Sequence, residues 1–415
     1  MTKLNRALMA TTAIAFAAGL AMPAAAKKKD PSKAPKVVAS GAKMKLRLYG
    51  QIARTASIND NGAGGAGFAN SENGNTSTRM GIRAAGKINN DLKLNLRYEF
   101  NARSAHENRQ TDRTNGDNDF DIRFADIQFS HKRFGTVWFG RGQGSGDSSS
   151  QTDLSGTSTG AKGGGEHWDF QGAEFLESSD SANGDDRIQQ AVGDSLTNMD
   201  ATGRTDRIRY DSPSIYGFQF RTALIQQDAY EFALWYRGKI AGMRVRAAIN
   251  RSHGAQEIFG GADDAGLAAG DELTIYNGSI SVRSPWGIGV SGAAGTSERH
   301  RIAAVDGTGA GGLEAGSKTA HFWWASIWYR AKFFELGETR FRYGYNVAHD
   351  NVNEGDIAEA HGFTIVQQIR STGTDAYVGY RHAQLTTDQD TANSGGTQIE
   401  YNDVQAWVLG FRARF

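Results

Sequence analysis

Asp91-Leu92-Lys93-Leu94-Asn95-Leu96-Arg97-Tyr98-Glu99-Phe100-Asn101 alternates from end to end. Leu92, Leu94, Leu96, Tyr98 and Phe100 fall on one face, and Lys93, Asn95, Arg97, Glu99 and Asn101 fall on the other. Only an extended chain sends successive side chains to opposite sides, so this stretch reads as a strand with one greasy and one charged face. The alternation returns at Met80, Ile82 and Ala84 against Arg79 and Arg83, and at Phe218, Phe220 and Leu224 against Gln219 and Arg221. It appears again at Phe341, Tyr343 and Tyr345 against Arg340 and Arg342. Sixteen such runs begin near residues 45, 78, 91, 121, 135, 205, 217, 229, 241, 273, 287, 320, 337, 360, 374 and 403.

The spacing of the runs decides between two all-β architectures. A soluble sandwich distributes short strands evenly. Here the connections alternate between tight and long, as in barrels that cross an outer membrane with strands of about ten residues. Ile88-Asn89-Asn90-Asp91, Arg133-Phe134-Gly135, Ser212-Pro213-Ser214 and Ser284-Pro285-Trp286-Gly287 read as tight turns. Residues 59–77, 104–119, 142–203, 252–271 and 297–319 read as long polar loops. Lipid cannot satisfy an open sheet edge, so the fold expected is all-β, a closed antiparallel transmembrane β-barrel of 16 strands. Tyr210, Tyr230, Trp286, Trp323, Tyr329, Tyr380 and Trp407 then have a place at the membrane interfaces. Asp126 does not fit: the alternation through Arg123, Phe124 and Ala125 turns it toward lipid, so a bulge or a protein contact is expected there.

Composition excludes several other classes. The chain has 415 residues, a formal net charge of +1, 52 glycines, 5 prolines and no cysteine. Disulfide scaffolds, thiolate metal sites and cysteine nucleophiles are therefore absent. The near-zero charge provides no global field to steer nucleic acid, and no nucleic-acid partner is expected. Residues 1–26, with Lys3 and Arg6 before an apolar stretch and Ala24-Ala25-Ala26 after it, have the three-part pattern of a signal peptide. Residues 27–43 are lysine-rich, carry Pro31 and Pro35, and read as a flexible tail. The barrel is expected over 44–415. At its end Trp407, Leu409, Phe411, Ala413 and Phe415 alternate to the last residue.

These residues carry a family resemblance. Leu48-Tyr49-Gly50-Gln51, Ser77-Thr78-Arg79-Met80-Gly81-Ile82, Phe134-Gly135-Thr136-Val137-Trp138-Phe139-Gly140-Arg141, Asp153-Leu154-Ser155-Gly156-Thr157-Ser158 and Asp206-Arg207-Ile208-Arg209-Tyr210-Asp211-Ser212-Pro213 follow in order, before the closing strand. The chain resembles a Gram-negative general diffusion porin, most closely of alphaproteobacterial type. The resemblance implies a homotrimer in the outer membrane, in contact with its lipids and lipopolysaccharide, with Phe415, Phe411 and Trp407 as the signal read by the barrel-assembly machinery. It implies passage of ions and small hydrophilic solutes, and a long third loop, 142–203, folded into the lumen as a constriction. Such a constriction sets basic wall residues against acidic loop residues. Arg79 and Arg123 match the family's wall arginines. Arg47, Arg83 and Arg97 share their face, and Arg204 follows the loop. Asp147, Asp153, Glu166, Asp169, Glu174 and Glu177 are its candidate acids.

A substrate-selective channel for sugars or anions is the alternative, since Arg207, Arg209, Arg221, Arg244, Arg246, Arg340 and Arg342 form a basic ladder along several strands. Enzymatic readings find no support. The nine histidines include no HExxH pair, and Gly140-Arg141-Gly142-Gln143-Gly144, which imitates a phosphate loop, is followed by no helical pattern. No Ser/His pair stands at a recognisable catalytic spacing. No cofactor is expected; Asp180 to Asp186 and Asp263-Asp264 are acidic enough for loop-bound calcium but lack its ligand spacing.

Overall fold

The computed structural model describes residues 37–38, 44–62, 67–104, 120–176, 189–255, 259, 272–300, 317–352, 354–390 and 398–415. The expected leader, most of the lysine-rich tail, Glu177 and both candidate calcium clusters lie outside them.

Sixteen antiparallel strands form the wall. They are β1 Met44–Asp60, β2 Arg79–Lys87, β3 Leu92–Asn101, β4 Ile122–His131, β5 Gly135–Gln143, β6 Arg204–Asp211, β7 Phe218–Ile225 and β8 Tyr230–Ile240, then β9 Met243–Ala255, β10 Glu272–Arg283, β11 Ile288–His300, β12 Ser317–Phe334, β13 Gly337–His349, β14 Ile357–Ile369, β15 Thr374–Asp390 and β16 Val404–Arg414. Each pairs with its neighbour in sequence, and β16 pairs back onto β1 from Gln51↔Arg414 to Asp60↔Gln405. The ring is closed, which removes the edges that lipid could not hydrate. Phe415 completes the seam: its backbone N–H and C=O both bond to Gly50, at 3.1 Å each. Below that seam the N-terminal half of β1 has no partner in β16. Val37–Val38, inside the stretch read as a tail, pairs there with Leu46 and Lys45 and satisfies part of the exposed ladder.

All four expected tight turns join consecutive strands. At the β2–β3 turn the Asn89 side-chain oxygen accepts the Asp91 and Leu92 N–H groups at 2.9 and 2.8 Å, an Asx turn that fixes the hairpin register. A further two-residue turn, Ala241-Gly242, has positive φ at both positions, as a twisted hairpin requires. Two expected loops start later than the sequence suggests. β9 and β10 stay paired to Ala255↔Glu272, and β11 and β12 to His300↔Ser317, because a ladder satisfies polar backbone beyond the membrane as well as within it.

The barrel is apolar outside and polar inside. Leu48, Ile52, Ile82, Ile249, Ile280 and Ile327 are at least half exposed on the outer face. Asp126, Arg207, Glu231, Asp375 and Arg381 are buried on the inner one. Among the described residues no helix is long and apolar enough to cross a membrane.

Candidate functional site

A β-bulge organises the first part of the lumen. Glu99 pairs with Phe124 while Phe100 pairs with Ile122, so Arg123 is the extra residue in β4. The extra residue shifts the alternation and brings Arg123 and Asp126, three positions apart, to the same polar face. This resolves Asp126, which lies 2.7 Å from Arg97 Nη2 and 3.0 Å from Arg207 Nη2 with its side chain fully buried. Arg97 also lies 3.4 Å over the Phe124 ring, a cation–π contact. Opposite Asp126, Gly140 has φ +99°, and a Cβ there would stand 2.3 Å from the Ala125 carbonyl oxygen.

Arg79 and Arg123 share one acid, and it is on the wall. Arg123 Nε donates to Glu99 Oε1 at 2.9 Å, its Nη1 donates to Asn101 Oδ1 at 3.1 Å, and Arg79 Nε lies 3.9 Å from the same Glu99 oxygen. Tyr49 donates its hydroxyl to the other oxygen at 2.7 Å. Arg204 is within electrostatic range of both arginines. Arg83 stacks 4.5 Å from the Tyr49 ring, and Arg47 is exposed opposite Arg83 in the β1–β2 ladder. The structure thus groups Arg79, Arg123 and Arg204, and places Arg47, Arg83 and Arg97 in separate contacts.

The connection 144–203 is stitched to the polar faces of strands across the barrel. Glu231, at the start of β8, holds both of its ends: it accepts the Gly146 N–H at 2.7 Å, the Thr202 N–H at 2.9 Å and the Thr202 hydroxyl at 2.6 Å. From there the segment runs past β10, where Ser149 Oγ donates to Asn277 Oδ1 at 2.5 Å and the Leu154 N–H donates to Ser281 Oγ at 3.0 Å. Arg340 Nη1 then donates to the Gly156 carbonyl at 2.7 Å, and Arg381 Nη2 to the Gly160 carbonyl at 2.6 Å. Phe170, Phe175, Val192 and Leu196 form an apolar core with buried residues of β14–β16, Ala360 and Ala406 among them. Burying side chains of this size contributes about 1.5–3 kcal/mol each, enough to hold an otherwise polar connection in one place.

The segment's acids meet other arginines than those of the Glu99 group. Asp153 lies 3.7 Å from Arg342 Nε, and Glu166 pairs with the same guanidinium. Asp169 lies 3.3 Å from Arg381 Nη2 and accepts from Tyr377 and Asn75 at 3.2 Å each. Burial pushes the Asp169 carboxyl up to about 6 against the pull of Arg381. Asp147 accepts from Gln143 Nε2 at 3.0 Å, and Glu174 begins a small hairpin, Glu174–Leu176 with Gln189–Ala191. His167, buried with no partner for Nδ1, is held down to about 3 and stays neutral. Lys162 is lowered by burial, opposed by Asp200 and Asp147. Asp200 is raised to about 8, first by burial and then by the Asp147 charge.

Sequence reading missed Glu99, Glu231, Lys162 and Asp200. Glu99 and Glu231 stand on the charged faces of alternating runs, and that face is the only signal for them. Nothing in the sequence distinguishes Lys162 or Asp200 from other loop charges. Of the basic ladder, Arg207 is paired with Asp126, Arg209 with Asp211 at 2.7 Å, Arg340 with Glu338 at 3.2 Å and Arg342 with Asp153 and Glu166.

A family model described as Gram-negative porin matches residues 10–388. No curated protein matches the chain. Among solved structures, the anion-selective porin from Comamonas acidovorans has a TM-score of 0.57 at 15% identity, covering 90% of this chain and 100% of that one. OmpT of Vibrio cholerae in its trimer form has a TM-score of 0.54 at 12% identity, covering 90% and 100%. The Salmonella typhi OmpF complex with daunomycin has a TM-score of 0.51 at 13% identity, covering 92% and 100%. At these identities the structural likeness concerns the fold, and the family match carries the assignment: the chain belongs to the Gram-negative porin family and is an outer-membrane diffusion channel.

Proposed function

We propose that the 144–203 connection is the constriction of this channel, and that ions and small hydrophilic solutes pass between it and the wall bearing Arg79, Arg123 and Arg204. The observation that carries this reading is the anchoring of both ends of the connection on Glu231, with its middle bonded to β10, β13 and β15. A connection tied in this way lies across the polar interior rather than outside it. Charges at a narrow water path set which ions enter. Around this path Arg79, Arg123 and Arg204 are set against the shared carboxylate of Glu99. A preference for anions follows. Support for a homotrimer comes from the trimer form of the similarly folded OmpT and from the broad apolar outer face.

Replacing Arg79 and Arg123 with serine removes positive charge and volume from the path. In planar bilayers the anion-to-cation permeability ratio should fall by about two- to fivefold, the effect of losing two charges a few ångströms from an ion in water. An unchanged reversal potential in the double variant would place the selective path elsewhere.

A further inference from the structure

Five basic side chains on β8, β9 and β10 stand on the polar face near the short-turn end of the barrel without a direct ion pair to an acid. Arg237 is directly opposite Arg246, Lys239 is opposite Arg244, and Arg244 is opposite Arg283. Directly opposite residues hold their Cβ atoms about 5 Å apart, and like charges so placed destabilise a sheet. Among the described residues none of the five makes a hydrogen bond or an ion pair, whereas nearby arginines do. Arg330 and Arg340 are both bonded to Glu338, and Arg342 is held by Asp153 and Glu166. Asp153 and Glu338, the acids that border the group, are thus already shared with Arg342 and with Arg330 and Arg340.

The same residues border two hollows. Lys239, Arg244 and Arg283 line one of about 400 Å³, together with Ser284, Arg330 and Glu338 at the β10–β11 turn. Arg237 and Arg246 line an adjoining one of about 390 Å³ beneath the 144–203 connection, where Arg221 stacks 4.3 Å from the Trp235 ring. Ile240 and Met243, at the same level, are exposed on the outer apolar face. The cations thus face the water path, and their ligand arrives dissolved rather than as a lipid headgroup.

We propose that Lys239, Arg244 and Arg283, extended by Arg237 and Arg246, form a binding site for multivalent anions of the phosphate class at the short-turn mouth of the channel. That mouth opens to the periplasm in barrels of this kind. The flexible lysine and the forked guanidinium groups supply several donors to phosphate oxygens, and a bound anion removes the repulsion across the ladders. The proposal rests on the channel reading and adds a ligand class to it.

Inorganic triphosphate is the probe. Added to one chamber of a planar bilayer holding the wild-type channel, it should produce transient blockades, at lower concentration from the short-turn side than from the other. In the Arg244→Gln, Arg283→Gln double variant the concentration for half-maximal blockade should rise by roughly tenfold or more, as lost charge-assisted hydrogen bonds of this strength imply. In the Arg79→Ser, Arg123→Ser variant the response to triphosphate should persist. Should the double variant not conduct, calorimetric titration of triphosphate into both purified proteins reads the same shift. Equal blockade or equal binding in wild type and double variant would overturn the proposal, as would equal blockade by an uncharged trisaccharide. Loss of all conductance by the wild type would instead count against the channel reading.

Discussion

Asp126 shows how much one residue can carry in a lumen. It compensates two guanidinium groups, Arg97 and Arg207, with its own side chain shielded from solvent. Asp126→Ala leaves both guanidinium groups without a counter-charge, Arg207 keeping only the Gln143 and Gly140 carbonyls, and should cost about 3–5 kcal/mol of barrel stability. Denaturant titration of the folded protein in detergent reads this directly, and a loss below about 1 kcal/mol would mean that the arginines find other acceptors. Asp200 carries a different consequence. Burial and the Asp147 charge raise it to about 8, with Lys162 and the Ser148 amide opposing. A folded-state value above the unfolded one means that the folded chain binds the extra proton. Stability from this group is full below the unfolded value of about 4 and is lost as pH rises through about 8. Ionisation also adds a negative charge beside the path, so the reversal potential should drift toward cations as pH crosses that value. Asp200→Asn should abolish the drift; its persistence would assign the titration to another group. Sequence alone identified the misfit at Asp126 and the means of resolving it, because alternation is a local property. It could not identify Asp200, whose behaviour depends on burial by segments distant in sequence.

The strands were readable because each carries its own period-two pattern, and all sixteen begin close to where that pattern starts. Their far ends were not always so, since β9 and β11 run on to Ala255 and His300, where both faces become polar and alternation no longer marks the strand. The 144–203 connection is the opposite case. Its own sequence is rich in glycine and serine and shows no period, so its course is set by partners such as Glu231, Asn277, Ser281, Arg340 and Arg381 on other elements. The family resemblance supplied its expected role but not its contacts. Because the natural chain has no cysteine, that course can be tested cleanly. Ser149→Cys with Asn277→Cys puts two thiols where Ser149 Oγ and Asn277 Oδ1 now lie 2.5 Å apart. Mild oxidation should join them in nearly all folded molecules, giving faster migration of the unreduced protein. Absence of the cross-link would mean that the connection does not rest against β10.

At the scale of the whole molecule, the apolar residues that a soluble protein would bury are on the outside, and the charges are inside. Closure between β1 and β16, sealed by Phe415 against Gly50, makes that inversion tolerable in lipid. What the interior then does depends on the balance of its charges. Glu99 and Asp126 neutralise part of the wall, while Arg204 and the β8–β10 cations leave it positive. The most direct test of this account is the current through the purified wild-type protein in a planar bilayer with a potassium chloride gradient at neutral pH. Stepwise, ohmic conductance should appear, with a reversal potential displaced toward that of chloride. The absence of conductance steps, or a reversal potential on the potassium side, would contradict it.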